Sequence, residues 1–304
     1  MSILSKDQVD QWKNKGWVVA KNLVNVKECI ESMKNQYPEN EQDPILDFGS
    51  GGKTEFPCKY DSLNKMTLNI KLIKAVKQLL NTQNIRLTQS IAWAKYGVPA
   101  KNEQSNCEQR IHMDYGNNTW LHPPKWDEPN VVAAIIYYSN TNITGGSTAV
   151  VSRQGDDDPV YEFPYIHMPG IAGKPFFNSK DAAERSVSGK TKKIRDLCYK
   201  REVKSNPNKG DVLFYRLDVW HRGTPVNKGK VRYVHNLAWK KADAIGINTW
   251  NSGWSKQMYY GWLEKLMVEL NDEQREILGF PCIKTLPKYM QKAVYARYPG
   301  LSKL

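Results

Sequence analysis

This 304-residue chain has five histidines: His112, His122, His167, His221 and His235. One of them stands in a pattern with chemical consequence. In QRIHMDYG (109–116), a single residue separates His112 from Asp114, and in an extended strand such a pair shares a face. A neutral imidazole and a carboxylate then point at one ion. His221 comes after the apolar run DVLFYRLDVW (211–220), which reads as a strand whose end, beside a turn, offers a side chain to a cavity. Two histidines and one carboxylate on one face of a divalent cation leave the opposite positions open to substrate and O2. That is the arrangement of non-heme Fe(II) oxygenases. Taken singly, His-x-Asp is common by chance and usually structural, so its meaning depends on the residues after His221.

Those residues are RGTPVNKGK (222–230), rich in turn formers, and then the strand VRYVHNLAW (231–239). A hairpin there returns Arg232 to the neighbourhood of the metal, where a guanidinium can hold a carboxylate through two parallel hydrogen bonds. A keto-acid cosubstrate needs such a partner: chelation at one end, a fixed cation at the other. Strand parity puts Arg232, Val234, Asn236 and Ala238 on the inner face and Tyr233, His235, Leu237 and Trp239 on the outer one. His235 is therefore expected to be packed or hydrogen-bonded. Arg222, of opposite parity to His221, is expected to point away. Thr224 either hydrogen-bonds a cosubstrate carboxylate or shapes the turn, and Asn236 is a further candidate for touching the site. Tyr115 and Trp120 either line a substrate mouth or pack in the core. His122, before Pro123-Pro124, suits a loop, and His167 a surface or lid position.

The elements that must position these residues are mostly strands. Ile85 to Tyr96, Val131 to Ser139, Ser147 to Ser152, Val212 to Val219 and Val231 to Trp239 are rich in Val, Ile, Tyr and Trp, which suit a pleated, buried surface. Before them, Ser5 and Gln8 form a capping box for a helix over 6–15 that Gly16 stops. Residues 17–24 are β-rich, Val26 to Asn35 is helical, 38–60 reads as loop, and apolar spacing makes Leu68 to Leu80 an amphipathic helix. A charged, glycine-bearing insertion fills 153–207, with KTKKIR (190–195) as its densest basic patch, read as a solvated loop. From Ser255 the chain returns to helix, with Asn271 or Asp272 capping a short one. Trp250, Trp254, Tyr259, Tyr260 and Trp262 crowd its start, with one face of 258–270 packed on the barrel. The expected organisation is one domain: an entry region at 1–84, a β core at 85–241 carrying the insertion, and a helical extension at 242–304.

Apolar residues make up 40% of the chain and charged residues 25%, which excludes a disordered or collagen-like chain. No uncharged apolar run is long enough to span a bilayer, so no membrane insertion is expected. Charged residues at Lys6, Asp7 and Asp10 exclude a signal peptide, and five cysteines without a CxxC pair point to reduced thiols in an intracellular, cytoplasmic protein. With 44 Lys and Arg against 31 Asp and Glu, the formal net charge is +13. This charge suits either a polyanion or an anionic small substrate. The basic residues are spread rather than clustered, which speaks against a nucleic-acid partner.

The dispersed set resembles the phytanoyl-CoA dioxygenase family of Fe(II)- and 2-oxoglutarate-dependent oxygenases. It consists of His112-x-Asp114 and GDVLFYRLDVWHRGTPVNKGKVR (210–232), the latter containing His221 and Arg232. LSKDQVDQWKNKGWVVAKNLV (4–24) is similar to the family's helix-then-strand entry, and GGSTAVV (145–151) to its glycine turn and strand. The likeness spans most of residues 4–241. It implies a mainly β fold with flanking helices, a double-stranded β-helix (jelly-roll, cupin-like) barrel. It also implies Fe(II) on His112, Asp114 and His221 as the catalytic ligands, and Arg232 on the far carboxylate of 2-oxoglutarate. The implied reaction takes O2, releases succinate and CO2, and hydroxylates or otherwise oxidises an unactivated carbon of a small organic substrate. Related halogenases replace the carboxylate ligand with a small residue, so Asp114 favours hydroxylation. The family's Pro-Gly-Ser-His-like strand end reads Ser152-Arg153-Gln154-Gly155 here, at an edge that borders substrate. Two other classes stand beside this one: an oxygenase acting on nucleic acid or protein, and a non-catalytic metal-binding barrel.

Overall fold

Among the described residues, nine strands form two sheets. In this computed structural model, residues 2–40, 52–99, 103–114, 125–162, 177–244, 262–280, 282–297 and 300–301 are described. The strands are β1 (Trp17–Ala20), β2 (Lys53–Glu55), β3 (Ile85–Tyr96), β4 (Val131–Tyr137), β5 (Thr148–Val150), β6 (Val203–Lys204), β7 (Val212–Tyr215), β8 (His221–Gly223) and β9 (Val231–Lys241). The major sheet runs β1-β7-β4-β9-β3-β2 and the minor sheet β6-β5-β8, with every pairing antiparallel. The fold is a jelly-roll barrel with flanking helices.

Alternation along the strands divides the apolar residues into layers. Trp93, Ile135, Tyr137, Leu213, Tyr215 and Val234 of the major sheet meet Val150 of the minor sheet in the lumen. The opposite face of the major sheet, with Tyr233, Leu237 and Trp239, packs under helices. These are α1 (Lys6–Lys15), α2 (Lys27–Gln36), α3 (Asp61–Thr67) and α4 (Ile70–Leu80). The outer face of β9 is thus covered by protein rather than water.

Local chemistry sets the boundaries. Gln8 N–H donates to Ser5 Oγ at 3.2 Å and Ser5 N–H to Gln8 Oε1 at 2.9 Å, closing the box that starts α1. Gly16 ends it at φ 88°, where a Cβ would stand 2.3 Å from Val219; both the left-handed backbone and the close approach require glycine. Gly16 O then accepts from Arg216 N–H at 3.0 Å, tying the helix end to the turn before His221. The Asn69 side chain caps α4 by accepting from Lys71 N–H at 2.9 Å.

Several expectations need correction. The apolar run 212–219 is not one strand: β7 ends at Tyr215, because Arg216 and Asp218 pair at 2.7 Å and fold the chain into a turn. His221 therefore opens a strand of the minor sheet instead of ending one in the major sheet. The 38–60 loop contains β2, and α3 precedes the helix expected over 68–80. The insertion, which comes after the short α5 (Thr141–Thr144), is structured where it is described: it holds α6 (Lys180–Arg185), α7 (Gly189–Arg201) and β6. KTKKIR accordingly lies on α7, with Arg195 buried and paired to Glu184 at 2.6 Å.

The helix Trp262–Glu269 buries Leu266 and Met267 in the outer core, as its spacing predicts. Asn271 caps Asp272–Ile277 with a second capping box. Tyr115, Trp120, His122, His167, Trp250, Trp254, Tyr259 and Tyr260 lie outside the described residues. Among the described residues no helix is long and apolar enough to cross a membrane.

His235 is packed on the outer face of β9. Its Nδ1 lies 3.0 Å from Tyr138 Oη and its Nε2 2.9 Å from Ser90 Oγ. Burial pushes its pKa down from 6.5 to about 3. Above pH 6.5 the ring is neutral in the folded and unfolded chain alike. Below it, the unfolded chain takes up a proton that the folded one refuses, so this contribution to stability is lost as pH falls towards 3. Between pH 7 and pH 5 the ring accounts for a loss of about 2 kcal/mol. Urea unfolding of His235→Gln at the two pH values is expected to show a drop smaller by that amount. Equal drops in variant and parent count against it.

Candidate metal centre

His112 and His221 are brought together by backbone pairing. His112 N–H donates to His221 O, and His221 N–H to His112 O, each at 2.9 Å. This double exchange defines a hydrogen-bonded antiparallel pair, whose side chains lie on the same face. The ring centroids are 4.4 Å apart. Asp114, one alternation beyond His112, donates its N–H to Leu217 O at 2.9 Å. Its Oδ1 stands 3.5 Å from His112 Nε2 and its Oδ2 3.3 Å from His221 Nε2. One donor atom from each residue falls within 4.8 Å of the others. Donors bonded to one ion at about 2.0–2.2 Å are separated by about 3 Å, so a small closure seats the ion.

The donor chemistry fits a metal. His112 Nδ1 donates to Arg110 O at 3.0 Å and His221 Nδ1 to Val219 O at 2.9 Å. A carbonyl only accepts, so the proton sits on Nδ1 in both rings and each Nε2 presents its lone pair to the centre, as in metal-bound imidazoles. The three residues form a His-Asp-His cluster able to hold a metal ion.

The electrostatics are set by burial and proximity. Burial, then the neighbouring His221, push His112 down to about 4. Burial works to raise Asp114, but the two imidazoles overcome it and hold the carboxyl well below the usual range. At His221 the Asp114 carboxylate outweighs burial and raises the ring above its ordinary value. The site thus holds its carboxylate ionised.

The extended segment carrying His112 is braced from the insertion. Tyr199 Oη accepts from Ile111 N–H at 3.0 Å, and Arg195 Nη2 donates to Ile111 O at 3.0 Å. Glu184 collects both side chains: it accepts from Tyr199 Oη at 2.9 Å and from Arg195 Nη2 at 2.6 Å. Two side chains of α7 thus take the place of a neighbouring strand. Arg222 points away from the metal, bonding Glu202 and Glu108 at 2.7 and 3.0 Å.

Arg232 lies inside the barrel, 2% exposed. Its Nη1 donates to Gly146 O at 2.6 Å and its guanidinium stands 4.8 Å from the Trp93 ring centre. Lys95 is its register partner on β3. The buried ammonium of Lys95 donates to Thr224 O at 2.9 Å, and Thr224 Oγ1 donates to Ser147 O at 2.8 Å. Thr224 therefore spends its proton on the turn.

Sequence reasoning passed over Tyr215. Its hydroxyl donates to Asp114 Oδ2 at 2.9 Å and its ring stands 4.7 Å from that of His221. Applying to β7 the parity used for β9 would have placed it in the lumen with Leu213. Tyr215→Phe keeps the ring and removes the bond that orients the carboxylate. Loss of such a partner costs about 10-fold or more in metal affinity. A Mn(II) titration followed by electron paramagnetic resonance is expected to show that weakening, with an unchanged melting temperature. Unaltered affinity refutes it.

The sequence matches no family model and none of the curated proteins. Solved structures share its fold. SnoK, a non-heme alpha ketoglutarate dependent carbocyclase from nogalamycin biosynthesis, aligns with TM-score 0.51 and 15% identity over 84% of this chain and 92% of that one. The epimerase SnoN, in complex with Fe3+, alpha ketoglutarate and nogalamycin RO, aligns with TM-score 0.51 and 12% identity over 78% and 83%. HygX from Streptomyces hygroscopicus with iron bound gives 0.50 and 15% over 80% and 89%. At these identities the likeness is one of fold. The narrower phytanoyl-CoA dioxygenase resemblance stands on the sequence motifs.

Proposed function

We propose that the chain is an Fe(II)- and 2-oxoglutarate-dependent dioxygenase of the phytanoyl-CoA dioxygenase type, oxidising an unactivated carbon of a small organic molecule. The observation that carries this reading is the convergence of His112, Asp114 and His221, with both Nδ1 protons committed to backbone carbonyls. Arg232, held inside the barrel by Gly146 O and Trp93, supports a dicarboxylate cosubstrate. The iron and keto acid, when bound, supply the oxidising power through decarboxylation to succinate and CO2. The chain's residues do the placing. The two imidazoles and Asp114 would hold the ion, Tyr215 fixes the carboxylate, and Arg232 with Lys95 makes one end of the lumen positive. Apolar walls from both sheets exclude water. Hydroxylation is the reading Asp114 favours. The carbocyclisation and epimerisation catalysed by SnoK and SnoN mark the range of outcomes such a barrel supports.

A polyanionic substrate is the weaker reading. The KTKKIR patch on α7 is largely spent internally: Arg195 on Glu184, Lys190 on Glu162 and Lys192 on Asp196. The test of the function is succinate formation by purified protein given Fe(II), 2-oxoglutarate and O2. Slow consumption without substrate is expected, dependent on iron and absent in His221→Ala. No succinate, together with no Mn(II) binding, leaves a non-catalytic barrel.

A further inference from the structure

The lumen carries two side-chain amides that the metal centre does not use. Across the major sheet the lumen-facing residues stand in register. One rung runs Leu213, Ile135, Asn236, Ile91, and the next runs Tyr215, Ala133, Ala238, Gln89. An irregularity between Leu87 and Gln89 turns β3 over. Leu87 packs in the outer core, whereas Gln89 shares the lumen face with Ile91 and Trp93.

The second rung begins at the tyrosine that holds Asp114. It then crosses two buried alanines and ends at Gln89. With strands about 4.8 Å apart, the rung from Tyr215 to Gln89 measures about 14 Å.

Asn236 stands between Ile91 and Ile135. Its Oδ1 is buried with no hydrogen-bond partner among the described residues. Gln89, Ile91 and Asn236 are only half-buried, whereas Trp93 and Val234, one step along the same strands, are buried. The lumen is therefore reachable at the amides. A buried amide oxygen without a partner in an apolar wall costs free energy that leucine would not. Such a group is explained when a ligand completes it.

We propose that Asn236 and Gln89 form the recognition edge of the substrate pocket, which takes an uncharged, hydroxyl-bearing molecule. This rests on the oxygenase reading and names its substrate class. Each amide offers donors and an acceptor, which satisfies hydroxyl groups. Neither supplies the charge that desolvating a carboxylate or ammonium requires. Recognition at this edge therefore makes no use of the chain's excess of positive charge.

Thermal melts of parent, Asn236→Leu and Gln89→Leu, each loaded with Mn(II) and 2-oxoglutarate, test this against two probe panels. One holds cyclitols and methyl glycosides, the other aliphatic carboxylates and amines. Members of the first panel are expected to raise the parent's melting temperature by about 2 °C or more, and to lose that effect in both variants. Both variants should bind Mn(II) and 2-oxoglutarate within about two-fold of the parent, under 1 kcal/mol, and melt no lower. Stabilisation by charged probes alone, no response to the polyols, or a response that survives both substitutions overturns the proposal. So does a lowered melting temperature of both unliganded variants, which makes the amides part of the fold. Failure of the parent to bind Mn(II) and 2-oxoglutarate is a different result and strikes the oxygenase reading itself.

Discussion

Replacing Asp114 with alanine is expected to lower Mn(II) affinity by more than about 100-fold and to stop 2-oxoglutarate consumption. Outer partners of metal ligands already cost about 10–100-fold when lost, and on the proposed function Asp114 is a ligand itself and the one anion of the three. Two neutral imidazoles without it leave a divalent charge uncompensated in a buried site. The substitution also strands the Tyr215 hydroxyl, which now donates to Asp114 Oδ2 at 2.9 Å. A buried donor left without an acceptor costs about 1–3 kcal/mol, so a lower melting temperature accompanies the loss of metal. Asp114→Asn separates the two effects. Its amide oxygen still accepts from Tyr215, but the charge is gone. It is expected to melt near the parent and still bind Mn(II) poorly by isothermal calorimetry. Parent-like affinity in Asp114→Asn removes the carboxylate from the coordination sphere and the oxygenase reading with it.

The His112-x-Asp114 part of the candidate site was legible because it obeys a short-range rule. His112 and Asp114 share a face by strand alternation, and the Arg232 face of β9 comes from the same parity, observed down to His235 hydrogen-bonding on the other side. The helix starts at Ser5 and Asn271 were legible because a capping box is a local contract between residues three apart. What escaped was set by pairs distant in sequence or by charges acting structurally. The run 212–219 is apolar enough for one strand, yet Arg216 and Asp218 break it with a buried ion pair, which no hydropathy pattern records. α7 reads as a charged loop because GKTKKIRDLCYKR has few apolar residues. Its contribution comes through Arg195 and Tyr199, whose targets are the backbone groups of Ile111. Gln89 escaped because the irregularity before it reverses the alternation that earlier positions of β3 imply.

Arg232→Ala is expected to weaken 2-oxoglutarate binding by about 100-fold while Mn(II) affinity stays close to the parent's; removing one partner of a buried, charge-assisted contact costs about 2–5 kcal/mol. The side chain is suited to this because it enters the lumen already oriented. Gly146 O fixes Nη1 at 2.6 Å and Trp93 supports the plane of the guanidinium, so little conformational freedom is lost when a carboxylate docks. Lys95, opposite it in register, adds charge at the same end but is already bonded to Thr224 O, and a point charge cannot reproduce two parallel hydrogen bonds. Arg232→Lys is therefore expected to recover only part of the affinity. In turnover assays the loss should fall on the KM for 2-oxoglutarate more than on kcat, because the contact is made equally in ground and transition states. A fall in kcat with unchanged KM would place Arg232 near the reacting carbon instead. A parallel loss of Mn(II) binding would make it a support of the barrel rather than the anchor of the keto acid.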